Sequence, residues 1–201
     1  MDYKKIALLA LCALGGWHWH TTRAIPNLAP GVGVAEAPYQ RDVSAPKFSV
    51  GKYTITPLAS FDIRARILSR QNYSADKEAD LSPIDLALGW GRMSDVAVYS
   101  QFDISQSGRF YFWRSEKELP IPYNEVVRSS ANMHLIPADS QVEAKLRMTR
   151  PGQIIHIQGY LVRADDPAGW AWRSSLTRED SGAGACEIIW VKTVEFEDVQ
   201  G

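Results

Sequence analysis

The feature of the sequence that most constrains its fold is the alternation of apolar and charged residues in FDIRARI, residues 61–67. Apolar side chains occupy every second position and charged side chains stand between them, which is the pattern of a β-strand with one buried and one solvated face. Phe48–Val50 and Tyr53–Thr56 have the composition of the strand that precedes it. The pattern excludes an all-helical chain and predicts a sheet.

Further strands and short helices follow along the chain. Strand composition marks Arg109–Arg114, Gln153–Arg163, Trp170–Ser174 and Cys186–Glu197. Helix start signals mark Ser82–Leu88, Pro122–Val127 and Asp139–Leu146. Because these elements interleave without regular βαβ repeats, the predicted class is α+β. We expect a small antiparallel, barrel-like sheet with short helices, preceded by an N-terminal hydrophobic helix; an OB-like barrel is one alternative.

The first 46 residues have a different character. Lys4 and Lys5 precede the apolar run Ile6–Trp17, which is typical of a signal-anchor or a signal peptide over residues 1–20. The lysines favour a cytoplasmic N-terminus, with the rest of the chain on the other side of the membrane. Residues 21–46 contain four prolines and no hydrophobic period, which predicts a Pro-rich linker. Residues 47–201 are then the extracytoplasmic α+β domain.

Composition excludes several classes of protein. Lys and Arg number 22 and Asp and Glu number 23, so the formal charge is -1, and we expect no nucleic-acid partner. The two cysteines, Cys12 and Cys186, cannot form a disulfide scaffold. The sequence has no Walker loop, CxxC, HExxH or GxSxG motif, and we predict neither a cofactor nor a metal.

His134 is the candidate base of any catalytic site. It follows Asn132 and Met133 in a polar segment that ends at Pro137, which we interpret as a helix end or a loop. An amide, a soft apolar side chain and a titratable ring in succession suit recognition. The alternative is that His134 only hydrogen-bonds to the backbone and locks a tight connection.

Cys186 and Ser130 are the candidate nucleophiles beside His134. Cys186 follows the small residues 182–185, whose N–H groups could form an oxyanion hole. Strand parity, however, places Cys186 with Ile188 and Trp190 on an apolar face. That parity predicts a buried and inert thiol.

Four more residues complete the predicted binding surface. Trp170 and Trp172 share one face of a predicted strand, and Arg173 and Arg178 flank a pair of serines. Exposed rings would stack on sugars or bases, and the arginines would clamp a carboxylate or phosphate. The alternatives are core packing for the rings and solvated loop charges for the arginines.

The blocks SANMHLIPA, GYLV, WRSSLTR and GACE, within residues 130–187, resemble a family of uncharacterised membrane-anchored bacterial envelope proteins. The resemblance implies a short anchor, a proline-rich stretch and one compact domain, with no activity assigned. It places the chain in the bacterial inner membrane as a single-pass protein with a periplasmic domain, or in secreted form if the N-terminus is cleaved.

Two functions are compatible with these features. The first is a membrane-tethered extracytoplasmic binding or assembly-accessory module, held to the membrane by its N-terminal helix and binding another envelope protein. The alternative is an envelope hydrolase or transferase that uses His134 with Cys186 or Ser130. The enzyme hypothesis requires a nucleophile within hydrogen-bond distance of His134, whereas the binding hypothesis does not.

Overall fold

The computed structural model describes residues 3, 6, 24–26, 28–178 and 185–197. The predicted N-terminal helix, residues 1–20, lies outside the described residues except for Tyr3 and Ile6. In the described part, no helix is long and apolar enough to span a membrane.

The described chain consists mainly of strands. They are β1 (Tyr39–Asp42), β2 (Phe48–Val50), β3 (Tyr53–Asn72), β4 (Ile84–Gly89), β5 (Asp103–Ser107), β6 (Phe110–Arg114), β7 (Ser130–Pro137), β8 (Ile154–Asp165), β9 (Ala171–Arg173) and β10 (Glu187–Glu197). The helices are short: α1 (Val96–Tyr99), α2 (Tyr123–Ser129), α3 (Ser140–Arg147) and the 3-10 turns Lys77–Asp80 and Gly91–Ser94. The class is therefore α+β and rich in sheet, as the sequence predicts.

Five strands are joined in a closed ring of pairings. Around the ring, β3 pairs with β4, β4 with β7, β7 with β10, β10 with β8, and β8 again with β3. The long β3 makes this possible because residues 54–66 pair with β8 and residues 66–72 pair with β4. Only the β7–β10 pair in this ring is parallel. The hairpin of β5 and β6 forms a separate two-stranded sheet.

The alternation in β3 is confirmed, with one exception. Phe61 and Ile63 are buried in a core cluster to which all five ring strands contribute. Arg66 belongs to the face predicted to be solvated, yet it is buried. Its guanidinium donates to the carbonyls of Gly152, at 2.7 Å, and Ser94. These bonds satisfy the buried charge and connect β3 to two neighbouring loops.

Two helix predictions are confirmed and one is wrong. The helices at 122–127 and 139–146 correspond to α2 and α3, and the Asp139 carboxylate caps α3 by accepting the Gln141 and Val142 N–H groups at 2.8 Å. Ser82–Leu88 is not helical, because β4 runs through it with every residue buried. Burial on both faces removes the alternation that identifies a strand.

The segment predicted to be a helix end or loop, residues 129–138, is also a strand. β7 lies between β4 and β10, and its residues are mostly buried. Its polar side chains are compatible with a central strand because they bond to Asp85 of β4 and to the hairpin that covers them. The polarity of this segment therefore reflects a buried network.

The folded unit also extends into the segment predicted as a linker. β1 pairs with β3, and Val34 is buried in the main core. The Ser94 hydroxyl accepts the Val34 N–H at 2.9 Å, and the Ile25 N–H donates to the Pro151 carbonyl at 2.9 Å. Part of residues 21–46 is therefore packed on the domain.

Candidate functional site

The β5–β6 hairpin turns on two residues with left-handed backbone. Gly108 and Arg109 have φ angles of 57° and 71°, and a two-residue hairpin loop of this kind requires positive φ at both positions. Arg109 is the only residue other than glycine with positive φ in the described part of the chain. Since this conformation is unfavourable for arginine, contacts of its side chain must stabilise it.

The Arg109 side chain makes those contacts with two aspartates. Its Nε and Nη2 donate to the two oxygens of Asp76 at 3.0 and 2.6 Å, and its Nη1 donates to Asp85 Oδ1 at 2.8 Å. The guanidinium also lies 3.8 Å from the centroid of the Tyr73 ring. Burial lowers the pKa of Arg109, but the bonds and charges of the two aspartates outweigh it and raise that pKa. The same hydrogen bonds lower the pKa of Asp76.

Asp85 joins this network to His134. The two residues are paired between β4 and β7, and the His134 Nδ1 lies 2.9 Å from Asp85 Oδ2. Both side chains are buried, with exposures of 3% for His134 and 0% for Asp85. A carboxylate at Nδ1 favours the tautomer with its proton there, which leaves the Nε2 lone pair as an acceptor. The ring also packs on Trp172 at a centroid distance of 4.7 Å.

Asn132 connects the hairpin backbone to the same carboxylate. Its Nδ2 donates to the Arg109 carbonyl at 3.1 Å and to Asp85 Oδ2 at 3.4 Å, and its Oδ1 accepts from Gln106 Nε2 at 2.6 Å. Asn132 and His134 project on the same side of β7 because side chains alternate along a strand. The network therefore fixes the hairpin tip to the outside of the strand ring.

Two cavities open beside the network. The His134 cleft, of about 420 Å³, is lined by Asp76, Glu78, Gly108, Arg109, Phe110, His134, Trp172, Arg173 and Cys186. The aromatic groove, of about 260 Å³, is lined by Phe110, Tyr111, Phe112, Trp113, Tyr123, Val127, Ser130, Ala131, Asn132, Arg178, Ala185, Cys186 and Glu187. Phe110 and Cys186 border both cavities.

The aromatic groove runs along an unpaired strand edge. The register pairs Ser107 with Phe110 next to the turn, so the backbone groups of Tyr111 and Trp113 point away from β5 and toward the groove. No strand of the described chain pairs with this edge. Phe110, Phe112 and Tyr123 around the groove are 42%, 52% and 59% exposed. The strand predicted at Arg109–Arg114 is confirmed as β6, but its residues are exposed or half-buried because the hairpin lies apart from the main sheet.

The structure brings His134 and Cys186 to the same cleft but keeps Ser130 away. Ser130 lies four residues before His134 on β7, about 13 Å along a strand at ~3.3 Å per residue. Its hydroxyl donates to the Val126 carbonyl at 2.8 Å and accepts from the Tyr111 hydroxyl at 3.3 Å. Ser130 is thus occupied in connecting β7 to α2 and the hairpin.

Cys186 is not the fully buried residue that strand parity predicts. β10 begins at Glu187, and Cys186 precedes it as a half-buried residue that borders both cavities. Its Sγ lies 3.9 Å from the Arg109 carbonyl oxygen. Cys186 therefore lies beside the hairpin tip and outside the main core.

The other predicted binding residues do not form one surface. Met133 is buried in the main core, on the face of β7 opposite His134, so it cannot contact a partner directly. The ring centroids of Trp170 and Trp172 lie 5.9 Å apart, so the two rings pack against each other. Arg173 borders the His134 cleft and Arg178 the aromatic groove, so the two do not form a clamp.

Three residues of the network were not singled out from the sequence. Asp85 is the single acid within the apolar run PIDLALG, and this isolation was the one feature of the sequence that could have identified it. Asp76 lies in a turn-like segment, where charged residues are usual, and Arg109 stands at the first position of the strand predicted at Arg109–Arg114. Their roles depend on tertiary contacts, because Arg109 is 33 positions from Asp76 and 24 positions from Asp85 along the chain.

Among the described residues, no group of three or more His, Cys, Asp or Glu side chains is placed to hold a metal ion. No protein-family model, curated protein or solved structure matches the chain.

Proposed function

We propose that the chain is a membrane-tethered extracytoplasmic module that binds another protein of the bacterial envelope. The tether is the apolar N-terminal segment after Lys4 and Lys5. We further propose that the closed ring of five strands is a barrel of the OB type, which carries the hairpin on its outer face. The partner would be bound by the hairpin.

The observation that carries this proposal is the unpaired edge of β6 along a groove rimmed by exposed aromatic rings. An extended segment of a partner can add to such an edge through backbone hydrogen bonds, while its side chains enter the groove. Phe112 and Tyr123 supply apolar contact area of the kind enriched in protein interfaces. The ion pairs of Arg109 hold the hairpin in place before the partner arrives, which lowers the entropic cost of binding.

A photo-crosslinker in the intact chain tests this proposal. We would replace Phe112 by p-benzoylphenylalanine and irradiate living cells. Tyr39, which is 57% exposed on β1, provides the control position. We expect a discrete protein adduct from position 112, none from position 39, and loss of the adduct when Tyr123→Ser is added. Equal adducts from both positions, or none at 112, would contradict the proposal.

A second candidate function, an envelope hydrolase or transferase, is favoured by the Asp85–His134 pair beside Cys186. In this mechanism Asp85 would orient the ring, and His134 Nε2 would take the proton of the Cys186 thiol. Acylation by p-nitrophenyl acetate, followed by mass spectrometry, tests it. An acyl adduct on Cys186 that disappears in His134→Gln would support the enzyme; an unmodified thiol would count against it.

A further inference from the structure

The His134 cleft has a position that differs from that of the aromatic groove. It is bordered by His134 of β7, by the hairpin tip and by the β3–β4 and β8–β10 connections. In OB-type barrels the loops at these two connections take part in binding oligonucleotides or oligosaccharides. The inference below rests on the proposed barrel type but not on the proposed protein partner.

The cleft combines a fixed set of paired charges with polar groups that are available to a ligand. Arg109 and Asp76 are bonded to each other at 2.6 Å. Glu78 and Arg173 also line the cleft, and neither makes an ion pair with another described residue. His134 adds its second ring nitrogen, Nε2, because Nδ1 is bonded to Asp85. A ligand would thus meet a carboxylate, a guanidinium and an imidazole, which together offer both donors and acceptors.

Aromatic rings provide the apolar part of the same cleft. Phe110 is 42% exposed, and Trp172 is half-buried against His134. Ring faces pack against the apolar C–H faces of sugars as well as against bases. The volume of about 420 Å³ falls within the range of about 300–1,000 Å³ that is usual for small-ligand pockets.

The charges that line the cleft distinguish an oligosaccharide ligand from an oligonucleotide ligand. Asp76 and Glu78 line the cleft, and Asp85 is bonded to Arg109 and His134, which also line it. Arg109 and Arg173 are the arginines of the cleft, and Arg109 is already paired with two of the acids. Phosphate binding needs an excess of unpaired positive charge, which this cleft does not have. We propose that the His134 cleft binds a neutral oligosaccharide, with Phe110 and Trp172 against the sugar rings and Glu78, Arg173 and His134 at the hydroxyl groups.

An array of neutral oligosaccharides tests the proposal on the full chain in detergent. The array holds chains of about two to six sugars, with and without N-acetyl groups; an oligothymidylate and a set of dipeptides serve as the other ligand classes. Titration calorimetry would measure the Kd of the best sugar. We expect at least one neutral oligosaccharide to bind with a Kd below about 10 mM and neither other class to compete with it.

Substitutions of cleft residues test whether the sugar binds in the His134 cleft. Glu78→Gln and Phe110→Ser should each weaken sugar binding by about tenfold. Their matched controls, Glu116→Gln and Tyr39→Ser, change an exposed acid and an exposed ring that do not line this cleft, and should leave the Kd within about twofold. Near-UV circular dichroism verifies folding.

Three results would overturn the proposal: no neutral sugar binds, sugar binding is unaffected by both cleft variants, or the oligothymidylate or a dipeptide binds the cleft in place of sugar. A crosslinked protein adduct at position 112 would still be obtained in each case if the protein-binding proposal holds. The two proposals therefore fail separately.

Discussion

The guanidinium of Arg109 and the carboxylate of Asp85 form an ion pair at 2.8 Å between the hairpin tip and a strand of the ring. Asp85 is completely buried, and Arg109 is 12% exposed. The pair holds the left-handed turn against the ring and also sets the position of His134, which shares the carboxylate. One buried acid thus organises the hairpin and the cleft together.

Arg109→Ala should destabilise the fold strongly because it leaves Asp85 with an uncompensated buried charge. Removal of one partner from a buried pair costs about 3–5 kcal/mol. The exposed pair of Arg114 and Asp103 provides the control, and Arg114→Ala should cost less than about 1 kcal/mol. Urea unfolding at pH 7 measures both free energies. Equal losses in the two variants would show that the Arg109 pair does not stabilise the hairpin.

The bonds between Asp76 and Arg109 predict that the free energy of unfolding decreases in acid. The hydrogen bonds to Arg109 lower the pKa of Asp76 in the folded state, so its contribution is present above the unfolded pKa of about 3.9 and is lost as the pH falls through the folded value. Asp76→Asn should therefore lower the free energy of unfolding at pH 7 and flatten its dependence on pH below about 4. Asp42→Asn removes an exposed acid on β1 and serves as the control. An unchanged acid profile in Asp76→Asn would contradict the assignment.

Asn132→Ala tests whether the polar face of β7 is structural. The variant removes the partner of Gln106 and of the Arg109 carbonyl, and an unsatisfied buried group costs about 1–3 kcal/mol. Asn124→Ala, an exposed position on α2, should change the free energy of unfolding by less than about 0.5 kcal/mol. Thermal unfolding compares them. If Asn132→Ala unfolds like the wild type, the network is not needed for the fold.

The elements predicted correctly from the sequence are those with one solvent-exposed face or with a local helix start signal. The alternation at residues 61–67 identified β3 because only one of its faces is in the core, and Asp139 identified α3 because a cap acts within its own turn. β4 and β7 were missed because both of their faces are covered, one by the core and the other by the network and the hairpin. Local pattern cannot distinguish a buried polar face from a solvated one.

The candidate site was predicted only in part for the same reason. His134 was identified from its chemistry, but its partner Asp85 lies 49 positions away and meets it only through the pairing of β4 with β7. Arg109 reaches Asp85 because the hairpin folds back over the sheet. These contacts depend on tertiary pairing, which the order of residues along the chain does not display.

Reporter fusions that measure membrane topology test the proposed location. A fusion of alkaline phosphatase to the C-terminus should be active, because Lys4 and Lys5 favour a cytoplasmic N-terminus and export of the remainder. Replacing both lysines by glutamate should lower that activity, since the positive charge that orients the segment is lost. An inactive phosphatase fusion combined with a fluorescent cytoplasmic reporter would overturn the proposed location.

The last prediction concerns the Cys186 thiol, which borders both cavities at the hairpin tip. In a Cys12→Ser background, iodoacetamide should label the folded protein at a measurable rate, because a half-buried thiol in a cavity wall is accessible without unfolding. Phe110→Ala should increase the rate, since that ring lines both of the cavities that Cys186 borders and its removal enlarges them. Phe112→Ala, which changes only the groove, provides the control. If labelling occurs only after denaturation, Cys186 has the inert position that strand parity predicts, and its place beside His134 would have no chemical consequence.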